Sequence, residues 1–286
     1  MIRFFTFEQY HGKRNIGSTK LRVHNLIKYW PEAAIYKYAE QVDVMIYQKV
    51  YTTQDYKFQK YFKGIQILDI CDPDWFEGAL INETVSYMDG VTCPTQEMAD
   101  FIRQFTDKPI KVIPDRHDQE NIKPLKEHTG EAKSVVWYGY KQNAELLTSA
   151  IPTIETLGLS LTIISNTDPM LWKWANDPEE YQNKYTFIKY NEATILDDLR
   201  RHDIAVLPQG VRPQDRFKSN NRTTRVWLAG VPVATDGDEL RALLDPTERN
   251  NQAKANYELT IKEYNVTKSV DEMKEFIEEL RSEAKN

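Results

Sequence analysis

The densest set of residues able to do chemistry runs from Lys218 to Val233. It begins Lys218-Ser219-Asn220-Asn221-Arg222-Thr223-Thr224-Arg225 and continues through Ala229-Gly230 into Val231-Pro232-Val233. A cation precedes small polar side chains at a predicted helix start, the helix stops at Gly230, and an apolar strand follows at once. Lys218, Arg222 and the free N–H groups of a helix N-terminus all favour negative charge at one place, as holding a diphosphate requires. Basic residues oppose the macrodipole at that end of a helix, so three of them there ask for a reason. A well-capped surface helix is the plainer alternative.

Two further segments follow predicted strands. Asp72, in Ile70-Cys71-Asp72-Pro73-Asp74-Trp75, comes after an apolar run. It could serve as general base on a hydroxyl or orient a substrate, and an Asp-Pro turn cap explains it equally well. In Asn15-Ile16-Gly17-Ser18-Thr19, Gly17 permits close backbone approach at a helix start, and a turn glycine capped by Ser18 or Thr19 is the alternative. His24 and His117 receive no role. Cys71 and Cys93, the only cysteines, sit in apolar runs and read as buried thiols, and no metal is expected.

The elements that must position these residues alternate between short apolar runs and segments of helical period, the pattern of parallel strands joined by crossover helices. Strands are predicted over 3–7, 33–38, 42–50, 65–71, 90–94 and 110–115, then over 134–140, 159–166, 185–190, 204–209 and 231–235. Helices are predicted around Leu21–Lys28, after the N-cap Thr95, and over 143–157, 193–201 and 221–229. Between Asn121 and Lys133 the apolar pattern lapses around Pro124 and Gly130, as in a linker. The expected fold is α/β, with one domain over 1–125 and a second over 131–265. A terminal helix over 266–286, with Val270, Met273, Phe276, Ile277 and Leu280 on one stripe, packs back on the first domain.

The 286 residues, 41% hydrophobic and 28% charged, suffice for two cores. No run approaches the roughly 18 apolar residues of a membrane helix, and Ile2–Phe7 is too short for a signal-peptide core, so a cytoplasmic location is expected. The net charge of −6 is uneven: residues 1–65 hold eleven Lys/Arg against five Asp/Glu. That segment is also aromatic, with Tyr29, Trp30, Tyr36, Tyr38, Tyr47, Tyr51, Tyr56, Phe58, Tyr61 and Phe62 among its lysines.

Four segments resemble the GT-B-fold glycosyltransferases, specifically the group-one, retaining-type nucleotide-sugar enzymes. They are Gly17-Ser18-Thr19, Val112-Ile113-Pro114-Asp115-Arg116-His117-Asp118, Trp137-Tyr138-Gly139 and Asn221 to Val233. The resemblance implies two Rossmann-like domains facing across a cleft, with the acceptor held by the first and the nucleotide sugar, most simply a UDP-sugar, by the second. It implies no tightly bound cofactor. Lys218 and Arg222 would neutralise the diphosphate with Asn221 and Thr223 beside them, and Gly139 and Tyr140 would admit the phosphates. Tyr190, Asn191 and Glu192 would meet the base, and Gln209, Gly210 and Arg212 the phosphate or sugar. The chain departs from the family at Phe217 and Arg225, where many relatives carry glutamates, and at Tyr140 and Lys141, where an arginine is usual.

The basic, aromatic first segment would suit a polyanionic acceptor, such as a hydroxymethylated base in DNA, since some phage enzymes of this fold glycosylate such bases. The location would then be the host cytoplasm. Solvated lysines above buried tyrosines are the alternative. Two other functions fit the same residues: a non-catalytic nucleotide- or phosphosugar-binding protein, and a sugar-nucleotide epimerase.

Overall fold

The structure, a computed structural model, describes residues 1–52, 62–169 and 184–284. The chain forms two compact units. Unit 1 comprises Met1–Asp118, Arg212–Ser219 and Tyr264–Asn286, and unit 2 comprises Gln119–Val211 and Asn220–Glu263. Tyr56, Phe58, Tyr61, Lys57 and Lys60 of the basic segment lie outside the described residues.

Unit 1 holds β1 (Ile2–Thr6), β2 (Ala33–Ile35), β3 (Val44–Gln48), β4 (Ile65–Asp69), β5 (Gly90–Cys93) and β6 (Ile110–Val112). They form one parallel sheet in the order β2-β1-β3-β4-β5-β6. β3 is buried along its whole length, as expected of a parallel strand covered on both faces. The helix Val266–Glu283 lays Val270, Met273, Phe276, Ile277 and Leu280 into the core formed by Phe4, Val23, Leu26 and Trp30. A Cβ on Gly90 would stand 2.7 Å from the tip of the Phe276 ring, so a side chain there would force that ring to shift.

Residues 17–28 form a helix whose middle, Lys20–His24, is a π-turn: the Asn25 N–H reaches back five residues to the Lys20 carbonyl. Such turns favour functional places because they re-aim one side chain. Here the turn contains Arg22, a buried guanidinium that donates to Asp69, Asp115 and the Ile113 carbonyl.

Unit 2 holds β7 (Ser134–Tyr138), β8 (Ser160–Ser165), β9 (Thr186–Lys189), β10 (Ile204–Val206) and β11 (Val233–Ala234), all parallel in the order β11-β10-β7-β8-β9. Its helices include Ile195–Arg200, Asn221–Leu228 and Pro246–Glu263. The segment between predicted domains is tied down within unit 2. His128 donates its backbone N–H to Asn250 at 2.9 Å, and its ring Nε2 lies 2.9 Å from the Gly230 carbonyl, which sets the tautomer as Nε2–H. Among the described residues, no helix is long and apolar enough to cross a membrane.

Burial pulls the His128 pKa down to about 4, because its Nδ1 is enclosed with no acceptor for a second proton, and burial also lowers His202. Both folded values lie below the unfolded value of about 6.5, so the contribution is full above that pH and is lost as pH falls towards about 4. The thermal midpoint should therefore drop between pH 7 and pH 5, and less steeply in His128→Gln. Identical slopes in circular-dichroism melts of the two proteins would refute this.

Candidate functional site

In open parallel sheets, ligands bind beyond the carboxyl ends of the strands where the strand order reverses. In unit 2 that point lies between β7 and β10, and in unit 1 between β1 and β3.

At the unit 2 switch point, β7 ends in Tyr138 and Gly139. Arg222, at the start of the Asn221–Leu228 helix, donates from Nη2 to the Tyr138 carbonyl at 2.5 Å, while Tyr138 Oη donates to the Arg222 carbonyl at 2.8 Å. The guanidinium lies 5.2 Å from the Trp137 ring centre and 5.7 Å from that of Tyr138. A Cβ on Gly139 would stand 3.2 Å from the guanidinium carbon, so a side chain there would crowd the cation at the strand end. Arg222 as a whole is half-buried, but its Nε is shielded from water and has no partner, and it forms no ion pair among the described residues. Burial lowers its pKa, because a charge is being held away from water without a carboxylate. The Asn220 side chain does not cap the helix and its first turn has no acidic residue, so this end keeps its preference for anions.

The other basic residues near that helix differ. Arg225 donates to Glu192 at 2.8 Å and to Tyr190 Oη at 2.9 Å, and the Tyr190 hydroxyl also bonds Glu192. Lys218 lies 3.4 Å from Asp215, which also holds Arg212 through two bonds of 3.0 Å. Lys218 and Arg212 belong to unit 1, whereas Arg222 belongs to unit 2. Two of the three cations that sequence spacing placed at the helix start thus have carboxylates of their own. In unit 2, Gly139 and Tyr140 follow β7, Tyr190 follows β9, Gln209 comes three residues after β10, and Asn221 and Thr223 stand in the first turn of the helix. Tyr140 is 51% exposed, and Gln209 is exposed as well.

In unit 1, Asp72 follows β4 and accepts from Lys49 Nζ at 2.7 Å. Lys49 follows β3 and reaches Asp74 at 3.1 Å, while Tyr51 donates to Asp74 at 2.6 Å. Burial raises the Asp74 pKa, opposed by Lys49 and by the Tyr51 hydrogen bond. Lys49 is strained, with φ +53°, a backbone setting that a non-glycine residue keeps only when its surroundings enforce it. Sequence spacing had not singled it out, because its place at the switch point emerges only from the strand order. Gly17 is exposed and Ser18 half-buried at the start of the 17–28 helix, and Thr19 is buried, donating to Gln48 at 3.0 Å. Several aromatics of the basic segment are core: Trp30, Tyr47 and Tyr51 are buried. Tyr29 instead donates to Asp118 at 2.6 Å.

No protein-family model matches the sequence, and no curated protein sequence does. Two solved structures resemble the chain over nearly its whole length. Anabaena Alr3699/HepE in complex with UDP is 10% identical, covering 97% of this chain and 99% of that one with a TM-score of 0.66. AviGT4, a glycosyltransferase involved in avilamycin A biosynthesis, is 12% identical, covering 94% and 91% with a TM-score of 0.58. The fold is GT-B. At these identities the likeness is one of fold. Against the Glycosylation Associate Protein (Gap123) complex from Streptococcus agalactiae the chain spans 53% of that chain's length, at 11% identity and a TM-score of 0.43.

Proposed function

We propose that the chain is a glycosyltransferase that takes a sugar from a nucleotide-sugar donor, a UDP-sugar, and transfers it to an acceptor hydroxyl. The observation that carries this reading is Arg222: a guanidinium without a carboxylate, packed against Gly139 at the unit 2 switch point beside an uncapped helix start. A diphosphate supplies the missing charge. As the glycosidic bond breaks, negative charge grows on the departing diphosphate, and a preorganised cation stabilises that charge without reorganising. Asn221 and Thr223 would hydrogen-bond the same phosphates, Gly139 and Tyr140 would border them, and Tyr190 with Glu192 would meet the base. Gln209, after β10, would reach the phosphate or sugar. That the Anabaena protein was solved with UDP supports the choice of base.

Lys218 and Arg212 lie in unit 1 and share the single Asp215 carboxylate. In unit 1, Gly17 and Ser18 with Asp72 form the acceptor side, and Lys49 holds the Asp72 carboxylate in place. A retaining outcome rests on the family resemblance, and a hydroxymethylated-base acceptor rests on the basic balance of residues 1–65.

The test is thermal-shift screening of the protein against nucleoside diphosphates and their sugars. A ligand at about 100 times its Kd adds roughly 2.7 kcal/mol to the folded state, a shift easily read. A shift with UDP, followed by slow donor hydrolysis without acceptor, supports the transferase and argues against a pure binder. Interconversion of two nucleotide sugars would favour an epimerase. No shift with any nucleoside diphosphate would remove the donor reading.

A further inference from the structure

We propose that unit 1 carries a carbohydrate subsite, separate from the nucleotide, in which one pyranose ring of a neutral saccharide lies on an aromatic floor. Its role as the acceptor rests on the transferase reading above, with a saccharide in place of the hydroxymethylated base; the binding itself does not. The floor is built from three parts of unit 1. Trp75 stacks on Phe101 with ring centres 4.3 Å apart and planes 17° from parallel, and Phe217 meets both edge-on, at 5.0 and 5.5 Å. Phe76 and Phe105 extend the cluster outward and are 48% and 42% exposed. Phe217 itself is buried and Phe101 half-buried, so the rings open to water are those at the two ends of the cluster; single exposed apolar side chains are ordinary, but two on one stacked cluster mark a surface able to bind.

Against this floor lies an open cavity of about 230 Å³ lined by Glu97, Asp100, Phe101, Gln104, Arg216 and Phe217. Arg216 stands over the Phe217 ring at 4.6 Å. Among the described residues, the side chains of Glu97, Gln104 and Arg216 form no hydrogen bond or ion pair, and Asp100 accepts one from Gln96 at 2.7 Å. The cavity therefore offers carboxylate acceptors, guanidinium donors and an amide with both, beside the half-buried Phe101 ring.

That combination selects its occupant. A pyranose has a face of C–H groups that packs on an aromatic ring, and a rim of hydroxyls that each donate and accept. A nucleic acid would bring phosphates against Glu97 and Asp100. A protein partner would need about 800 Å² of surface per side, with its polar groups at the rim rather than lining a cavity. The volume falls below the roughly 300–1,000 Å³ of pockets for drug-sized ligands, which fits a single ring.

Saturation-transfer NMR on the full chain tests this, with methyl α- and β-hexopyranosides, maltose and cellobiose as probes and UDP in a parallel titration. The expected result is saturation of the ring C–H protons of at least one saccharide, with binding weakened about tenfold in Arg216→Ala. Gln104→Ala should weaken it by a smaller factor, and both exposed variants should keep the wild-type melting temperature. No transfer to any probe, transfer unchanged in both variants, or a chain that dimerises until Phe76→Ser is introduced would each overturn the subsite. UDP binding without saccharide binding would overturn it while leaving the donor reading intact. Saccharide binding without UDP binding would uphold the subsite and remove its role as acceptor.

Discussion

Arg222→Met is expected to abolish most of the affinity for UDP while leaving the melting temperature unchanged or slightly raised. Opposite movements are the signature of a functional charge. A buried cation with a carboxylate partner is strongly destabilising to break, because its partner is left behind. Arg222 has no such partner among the described residues; its nearest acceptor is the Tyr138 carbonyl, which carries only a partial charge. Replacing the side chain with an apolar one of similar length removes a desolvated charge and keeps the contacts with Trp137 and Tyr138. In the complex, by contrast, the diphosphate would lose its main counter-charge. Removing one member of a buried, hydrogen-bonded charge pair costs about 2–5 kcal/mol, or roughly 30- to 4,000-fold in Kd. Arg222→Lys should recover part of this, since it restores the charge but not the planar fork. Calorimetric titration with UDP and thermal unfolding of the same samples decide it. A variant that binds UDP as well as wild type but melts far lower would make Arg222 a structural residue.

How far this site could be read from sequence depended on what each residue needs. Parallel strands are covered on both faces, so β3 and β7 announce themselves as continuous apolar runs, and Thr95 caps its helix by accepting from the Met98 N–H. The Val266–Glu283 helix was legible from its apolar stripe. The Pro246–Glu263 helix was not, because its buried positions are Arg249, Ala253 and Thr260, which carry no apolar period. Arg249 is fully buried there, its two Nη groups donating to the Leu243, Leu244 and Gly130 carbonyls while its Nε has no partner among the described residues, an arrangement no pattern of side chains reveals. The π-turn at Lys20–His24 likewise leaves no mark in composition. In the site, a cation at a helix start was visible at Arg222, whereas Lys49 required the strand order. The pairing of Arg212 and Lys218 with Asp215 was present in their three-residue spacing, which puts ionic partners on neighbouring positions of one turn. The interleaved lysines and aromatics of the first segment could not be divided into surface and core until β2 and β3 placed Trp30 and Tyr47 inside.

The largest expected loss of stability comes from Asp69→Ala. Arg22, 5% exposed, donates from Nε and Nη2 to Asp69, at 2.9 and 2.6 Å, and from Nη1 to Asp115 and the Ile113 carbonyl, both at 2.9 Å. Thr92 donates to Asp69 at 2.7 Å, and Ser219 to Asp115 at 2.5 Å. Burial works to lower the Arg22 pKa, but the two carboxylates outweigh it and hold the guanidinium firmly charged. Truncating Asp69 leaves a buried cation short of its closest carboxylate, and breaking a buried pair in this way costs about 3–5 kcal/mol. Arg22→Met should cost a similar amount for the converse reason, since Asp69 and Asp115 would then be left without the cation between them. The double variant Arg22→Met/Asp69→Ala should cost well under the sum of the two, because it removes both members of the closest pair. Urea unfolding of the four proteins closes the cycle, and additive losses, or single losses below about 1 kcal/mol, would contradict it. The network joins the π-turn, the end of β4, the chain after β6 and Ser219, the last residue before the chain re-enters unit 2 at Asn220. It therefore fixes the end of the Arg212–Ser219 segment within unit 1.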